Sequence, residues 1–225
     1  MSLINIMSIV YEKGARNIME FWESSFIEKQ MMWGYEPTDS AILTKDFFLE
    51  KNVKDVLIPG IGYGRNAKVF LENEINVTGI EISQTAIDLA KQNGVNCKIF
   101  HGSVSDMPYD NKQYDGIFSH ALLHLLNREE RKKFISDCYN QLKPNGYMVF
   151  TTVSKKAPMF GKGKQLAEDY FEIMEGVKMF FYDSTSIDED FKNFGLVEAI
   201  EVDEPNKHSE NKSSINFLMV KCQKK

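Results

Sequence analysis

Three glycines and one carboxylate are the residues whose spacing most clearly implies chemistry. Gly60, Gly62 and Gly64 stand in the run Pro59-Gly60-Ile61-Gly62-Tyr63-Gly64, and Glu81 ends a later apolar run. Glycines let a loop take positive φ and let a ligand approach the backbone. The start of a helix behind such a loop presents unpaired N–H groups. A carboxylate at the end of the next strand accepts hydrogen bonds from the two hydroxyls of a ribose. The set therefore suits a nucleoside. The dinucleotide fingerprint asks for a third glycine three positions after the second. Arg65 stands there instead, and the spacing is G-x-G-x-G. Two histidines, His120 and His124, form a second group. Their i, i+4 spacing would hold a metal on a helix. No H-E-x-x-H arrangement or nearby cysteine accompanies them, so no metal site is expected, and His124 reads as packed or solvent-facing.

The elements that must position these residues follow from the pattern of apolar residues. Val56-Leu57-Ile58 is a short buried strand leading into the glycine loop, and Arg65 to Asn73 suits a helix. Val77 to Ile82 is a second strand. Ser83 is the expected N-cap of a helix from Gln84 to Asn93, closed by Gly94. Val95 to Phe100 reads as the third strand, and Tyr114 to Ser119 as the fourth, delivering Ser119 and His120 to its carboxyl end. Open α/β sheets bind ligands outside that end. Asn127 and Glu130 have capping-box spacing at the start of a helix running to about Leu142. Lys143-Pro144-Asn145-Gly146 is a sharp turn before a fifth strand, Tyr147 to Val153. Lys155 to Tyr182 is the least patterned stretch; a short helix is expected over Ala167 to Met174, and Gly161-Lys162-Gly163 reads as a surface loop rather than a phosphate cradle. Ser186 starts a helix by the capping-box rule and Gly195 ends it. Leu196 to Val202 and Ile215 to Cys222 are two final strands joined by a polar loop, hence a hairpin.

Residues 1–52 precede the glycine unit and are expected to form a helical cap segment, with the ligand-binding domain occupying 53–225. Asn17 to Gln30 and a stretch from Ala41 to Leu49 have helical spacing. Trp22, Trp33 and Tyr35 fit two readings, packing in the core or a lid over the ligand. The segment 1–37 lies outside the sheet and also carries Tyr11, so it is expected to fold over the ligand with Tyr11 and Trp33 against it. Should it not, the roof is to be sought in residues 155–182.

The chain has 225 residues, 43% of them hydrophobic, and a net charge of −5. One domain with an appendage is expected. The charge and the lack of a basic tract beyond the short tail Lys221 to Lys225 argue against a nucleic-acid footprint, which needs clustered cations. Cys97, Cys138 and Cys222 make no C-x-x-C pair and suit free thiols in a reducing compartment. The first ten residues lack the basic start and cleavage site of a secretion signal, and no apolar run approaches the roughly 18 residues of a membrane span. A cytoplasmic monomer or homodimer is expected.

The motifs Val56 to Gly64, Gly79 to Ser83, Gly102 to Pro108, Asp115 to His120 and Leu142 to Phe150 occur in an order that resembles the class I S-adenosylmethionine-dependent methyltransferases. Within them the chain is similar to the small-molecule branch, near the thiopurine, thiol and tellurite-resistance enzymes, with His120 where thiopurine-type enzymes tend to have an arginine. The resemblance implies an α/β, Rossmann-like three-layer sandwich, its mostly parallel seven-stranded sheet ending in an antiparallel hairpin. It implies S-adenosylmethionine as cofactor, in-line methyl transfer and a small-molecule acceptor. Glu81 then holds the ribose with Ile82 beside it, and Ser103 and Val104 sit at the adenine edge, with Asp106 either serving there or capping a turn. Gly60, Gly62 and Gly64 admit the methionine part, and backbone near Ser119 and His120 meets its amine and carboxylate. His120 is the candidate general base for an alcohol or amine acceptor. A nicotinamide oxidoreductase, or a catalytically silent S-adenosylmethionine-binding protein, are the alternative readings.

Overall fold

The structure, a computed structural model, describes residues 18–205 and 214–225. Tyr11 and the start expected at Asn17 lie outside the described residues. A seven-stranded sheet runs in the order β3-β2-β1-β4-β5-β10-β9. Its strands are β1 (Asp55–Pro59), β2 (Asn76–Glu81), β3 (Lys98–His101), β4 (Tyr114–His120), β5 (Leu142–Val153), β9 (Leu196–Pro205) and β10 (Ser214–Gln223). The first five are parallel; β10 pairs antiparallel with both β5 and β9. This is the expected topology, with its hairpin at the edge.

Alternation along the strands builds two layers of core. Leu57, Ile80, Ile117, Met148 and Phe150 face one side, where α5 (Arg128–Gln141) and α6 (Ser184–Phe191) contribute Phe134 and Phe191. Val56, Ile58, Val77, Phe118 and Val149 face the other, meeting Phe48 of α2 (Asp39–Glu50), Phe70 of α3 (Ala67–Leu71) and Ala90 of α4 (Gln84–Gln92). Successive side chains of a strand point to opposite faces, so one continuous apolar run serves both layers. The remaining helix, α1 (Ile18–Lys29), lies against α4 at the carboxyl end of the parallel strands.

Caps set the helix starts. Ser83 accepts from the Ala86 amide at the head of α4, and Asn127 with Glu130 forms the expected capping box on α5. On α6 the cap is Asp183, paired with Ser186, three residues before the expected start. Gly195, at φ 69, ends the turn that follows α6.

Three expectations change. Ala167 to Met174 is not helical: β6 (Lys164–Ala167), β7 (Tyr170–Met174) and β8 (Val177–Phe180) make a separate antiparallel sheet. Asp169 at φ 57 and Gly176 at φ 78 turn the chain on either side of β7, and Phe171 points into an apolar cluster with Val177 and Met179. Period-two burial over so short a run is easily lost among flanking polar residues. Lys143 to Gly146 is a bulge inside β5 rather than a turn before it: Leu142 pairs with Tyr114, the next pairing is Tyr147 with Gly116, and Asn145 takes φ 64. The third strand begins at Lys98, because Val95 is spent packing behind the glycine loop. Among the described residues no helix is long and apolar enough to cross a membrane.

Candidate active site

The glycine loop leaves β1 at Pro59 and is tied to β2 by two amides, Gly60 and Ile61, both donating to the Ile80 carbonyl at 2.8 and 3.1 Å. Gly60, Gly62 and Gly64 all take positive φ. They differ in what a side chain would meet. A Cβ on Gly64 would lie 2.6 Å from Val95, so this glycine is required by packing. A Cβ on Gly62 would enter open space. Gly62 is also among the residues lining a cavity of about 770 Å³.

Glu81 lies beside the loop, only 6% exposed. Its Oε2 accepts from the Gly62 amide at 2.8 Å, and Oε1 accepts from Ile82 and Ser83 at 2.9 and 3.0 Å. Burial raises the carboxyl above the usual range, against the pull of those three donors. A carboxylate offers about four acceptor positions, and Oε2 takes one donor, the Gly62 amide, among the described residues.

Other expected residues divide by geometry. Trp33, Gly60, Gly62, Glu81, Ile82, Ser103, Val104 and His120 all line the cavity. Gly64 and Ser119 do not: Gly64 backs onto Val95, and buried Ser119 donates its hydroxyl to the Pro59 carbonyl at 3.4 Å. Asp106 is exposed in the short turn Val104–Asp106, away from the cavity wall, and Tyr35 is 60% exposed. Trp22 lines the cavity and packs near Trp33, in one cluster with Phe26 and Tyr63. Residues of β7 and β8, among them Tyr170, Val177 and Met179, also line the cavity.

Residues not anticipated complete the walls. Arg65, at the position where a dinucleotide loop has glycine, is half-buried and lines the cavity. It donates to the Trp33 carbonyl at 2.9 Å and makes no ion pair among the described residues. Burial lowers its pKa, with Tyr63 and Glu204 opposing. Tyr63 stacks on Trp33 and locks the same loop, donating to Gly34 O at 2.9 Å and accepting from Trp33 N at 3.1 Å; burial pushes its phenol up to about 12. Glu23 of α1 accepts from the Ser83 and Thr85 hydroxyls, both at 2.6 Å, fastening α1 to the head of α4. Arg65 was signalled by its place after the third glycine. Nothing local marks Glu23, whose partners are some sixty positions away in the chain.

His120 ends β4 and His124 sits in the turn Leu123–Leu125 that follows, so the pair shares no helix. His120 Nδ1 is 2.7 Å from Thr151 Oγ1 and 3.2 Å from Ser40 Oγ. His124 Nδ1 accepts from the Val153 amide at 3.3 Å. Burial, helped at His120 by Arg65 and His124, holds both imidazoles down at about 3. Both are neutral at pH 7, and His120 is a weak base there.

The sheet order, the glycine loop and the buried acid after β2 define the class I, S-adenosylmethionine-dependent methyltransferase fold. The sequence comparison agrees: residues 57–150 match the methyltransferase domain family. An uncharacterized methyltransferase of Anoxybacillus flavithermus is 30% identical over 146 residues, covering 60% of this chain and 66% of that protein. A tRNA N(3)-cytidine methyltransferase of Xenopus tropicalis is 25% identical over 72% of this chain and 52% of its own length. The chain thus spans between about half and two thirds of these relatives. Among solved structures, a 1,6-didemethyltoxoflavin-N1-methyltransferase of Burkholderia thailandensis, with its substrate and S-adenosylhomocysteine bound, superposes with a TM-score of 0.70 at 17% identity, over 92% of this chain and 86% of that one. TehB of Haemophilus influenzae gives 0.62 at 18% identity, over 91% and 67%.

Proposed function

We propose that this protein transfers a methyl group from S-adenosylmethionine to a small molecule held in the same cavity. The observation that carries the reading is Glu81: a buried carboxylate with an acceptor position unfilled among the described residues, set against a loop whose central glycine faces open space. The residues present fit the cofactor. Glu81 holds the ribose hydroxyls. Ser103 and Val104 flank the adenine, and Gly60 and Gly62 leave room for the methionine chain. Arg65 is a half-buried cation without an ion-pair partner among the described residues, and it receives the methionine carboxylate. When bound, the cofactor supplies a methyl group already activated by its sulfonium. The chain's own task is to hold the acceptor in line and to exclude water.

Residues 18–37 act as the cap over the cofactor end, with Trp33 as its inner face; α2, whose Phe48 is buried under the sheet, belongs to the layered core. A nicotinamide enzyme is disfavoured by Arg65. The net charge of −5 supports a small-molecule acceptor over nucleic acid. Free Cys97, Cys138 and Cys222 support a cytoplasmic location, and the reading includes a monomer or homodimer. The test is thermal stabilisation by S-adenosylhomocysteine with none by NAD or FAD, followed by turnover over an acceptor panel. Stabilisation without turnover of any acceptor leaves a silent binding protein; stabilisation by NAD alone removes the reading.

A further inference from the structure

The parallel ladder between β4 and β5 ends before β5 does. Its last pairing is His120 with Thr151, and the Ala121 amide then closes on the Thr151 carbonyl at 3.1 Å. Ala121 takes φ 54, where the chain leaves the sheet. The next amide of β5 on that side belongs to Val153. On the other side β10 does not serve it. Phe217 stands opposite Val153, but the hydrogen-bonded contact falls one residue on, where the Ser154 amide donates to the Asn216 carbonyl at 3.1 Å. Bonded and non-bonded pairs alternate along an antiparallel ladder, so the Val153 N–H points away from β10. A buried amide needs an acceptor. His124 Nδ1 supplies it at 3.3 Å, in the place a longer β4 would have filled with a carbonyl.

That contact assigns the ring. Nδ1 receives a hydrogen and is bare, so the neutral imidazole carries its own proton on Nε2. Turning the ring over would set a carbon against the amide and leave it unpaired. Burial keeps the ring neutral, and no carboxylate among the described residues counters it. His124 is 4% exposed and lines the cavity. Among the described residues nothing accepts from Nε2, and Nε2 is not one of the unpartnered polar atoms sealed from open space. The N–H therefore reaches the cavity. The wall around it is one apolar cluster that includes Leu125, Val153, Met159, Val177, Met179 and Phe217, whose ring lies 6.1 Å from that of His124. The cavity also has charged residues, which are set apart from this cluster. On β7 and β8 Phe171 stands opposite Met179 and Glu172 opposite Lys178, so the charged pair occupies the other face of the small sheet. Glu175 is in the turn between those strands, and Lys29 ends α1.

We propose that His124 Nε2–H is a specificity-determining donor, and that the molecule filling this apolar end presents to it an oxygen or ring nitrogen with a free lone pair, as in an aryl ketone or an azine. Such a wall accepts an apolar body. A hydrocarbon leaves the N–H without a partner, and an ammonium group has only donors to offer it, so both lose affinity. Calling the bound molecule the methyl acceptor rests on the methyltransferase reading; the donor rests on the geometry of β4, β5 and β10.

Nitrogen-15 NMR of the histidine-labelled full chain at pH 7 tests the donor without turnover. The His124 signals, identified by their loss in His124→Asn, should show a protonated Nε2 and a bare Nδ1. A bare Nε2 or a charged ring overturns the proposal. S-Adenosylhomocysteine alone should leave the Nε2–H signal in place; a hydrogen-bond shift on its addition would give this donor to the cofactor and also overturns it. Three probes of similar shape then test recognition: acetophenone, α-methylstyrene, which replaces C=O by C=CH₂, and 1-phenylethylamine, which is a cation. Acetophenone should bind about tenfold more tightly than either and move the Nε2–H signal downfield. In His124→Phe the preference for the ketone over the alkene should vanish; should that variant not fold, the wild-type comparison decides. Equal affinities of the three, tighter binding of the amine, or no binding of acetophenone overturns the proposal. Failure of S-adenosylhomocysteine itself to bind counts against the methyltransferase reading, whereas the probe comparison, run without it, still decides the donor.

Discussion

At Gly62 backbone conformation and ligand space make the same demand. Its φ of 57 lies in the left-handed region, a Cβ there would touch no protein atom, and the residue lines the cavity. Gly62→Val is expected to stay folded, losing about 1–3 kcal/mol to backbone strain, while S-adenosylhomocysteine affinity disappears in calorimetry. Gly64→Val should instead fail to fold properly, because its side chain would collide with Val95. Glu81→Ala removes a charge-assisted acceptor worth about 1.5–3 kcal/mol, so affinity should fall about tenfold or more; unchanged affinity would separate Glu81 from the ribose. Arg65 admits a sharper comparison. Arg65→Met should weaken S-adenosylhomocysteine, which has the methionine carboxylate, and leave 5′-methylthioadenosine, which lacks it, binding as to the wild type. Equal losses for both ligands would assign Arg65 to holding the Trp33 loop.

Among the elements, α1 packs Phe26 on Ala86 and Leu89 of α4 and is hydrogen-bonded to the head of that helix through one carboxylate, Glu23. Burial raises the pKa of Glu23, but the hydroxyl bonds from Ser83 and Thr85 and the amide bonds at the helix head together outweigh it, leaving the pKa lowered. The folded state therefore favours the ionised form. Its contribution is fully present above the ordinary carboxylate pKa and is lost as pH falls through the lowered value. Protection of the α1 amides, corrected for the intrinsic exchange rate, should be high at pH 7 and fall in acid below the ordinary carboxylate pKa. Glu23→Gln should show the low protection at pH 7 already. An α1 equally protected in the variant would mean that the packing of Phe26 against Tyr63 holds the cap without the latch. On the opposite wall Lys155 bridges Asp169 and Asp183 at 2.6 and 2.7 Å, joining the turn before β7 to the cap of α6. The two covers of the cavity are thus fastened by different means, one by neutral hydroxyls on a carboxylate and the other by an ion-pair triad.

For the molecule as a whole, enclosing the cavity means burying histidines. His124 is 4% exposed, and its pKa is held down at about 3 by burial. The unfolded chain binds a proton there below pH 6.5, whereas the folded chain does not until about pH 3. Stability consequently falls as pH drops across that window, by about 1.4 kcal/mol per unit for this one group. Denaturant unfolding at pH 7 and pH 5 measures it. His124→Asn keeps an acceptor for the Val153 amide but cannot titrate, and should remove about 2 kcal/mol of the difference between the two conditions. An identical pH dependence in wild type and variant would show that His124 charges in the folded state.

The sequence by itself determined the layered sheet, the cap positions at Ser83 and Asn127, and the glycine loop with Glu81 at the next strand's end. These depend on local rules: alternation of apolar residues, a hydroxyl or amide before a helix, and a backbone that only glycine adopts easily. It did not determine which glycine meets the ligand. Gly62 and Gly64 are alike in type and in φ, and only the approach of Val95 from the far end of α4 distinguishes them. It did not reveal the small sheet over the cavity, whose strands are short and owe their stability to Phe171, Val177 and Met179 packing on one another. Nor did it assign His124. An imidazole has two nitrogens, and which one is bare depends here on the Val153 amide, contributed by a neighbouring strand. Pattern in the chain sets what each segment becomes; donor count, burial and charge at the site depend on which segments meet, and that is a property of the tertiary structure.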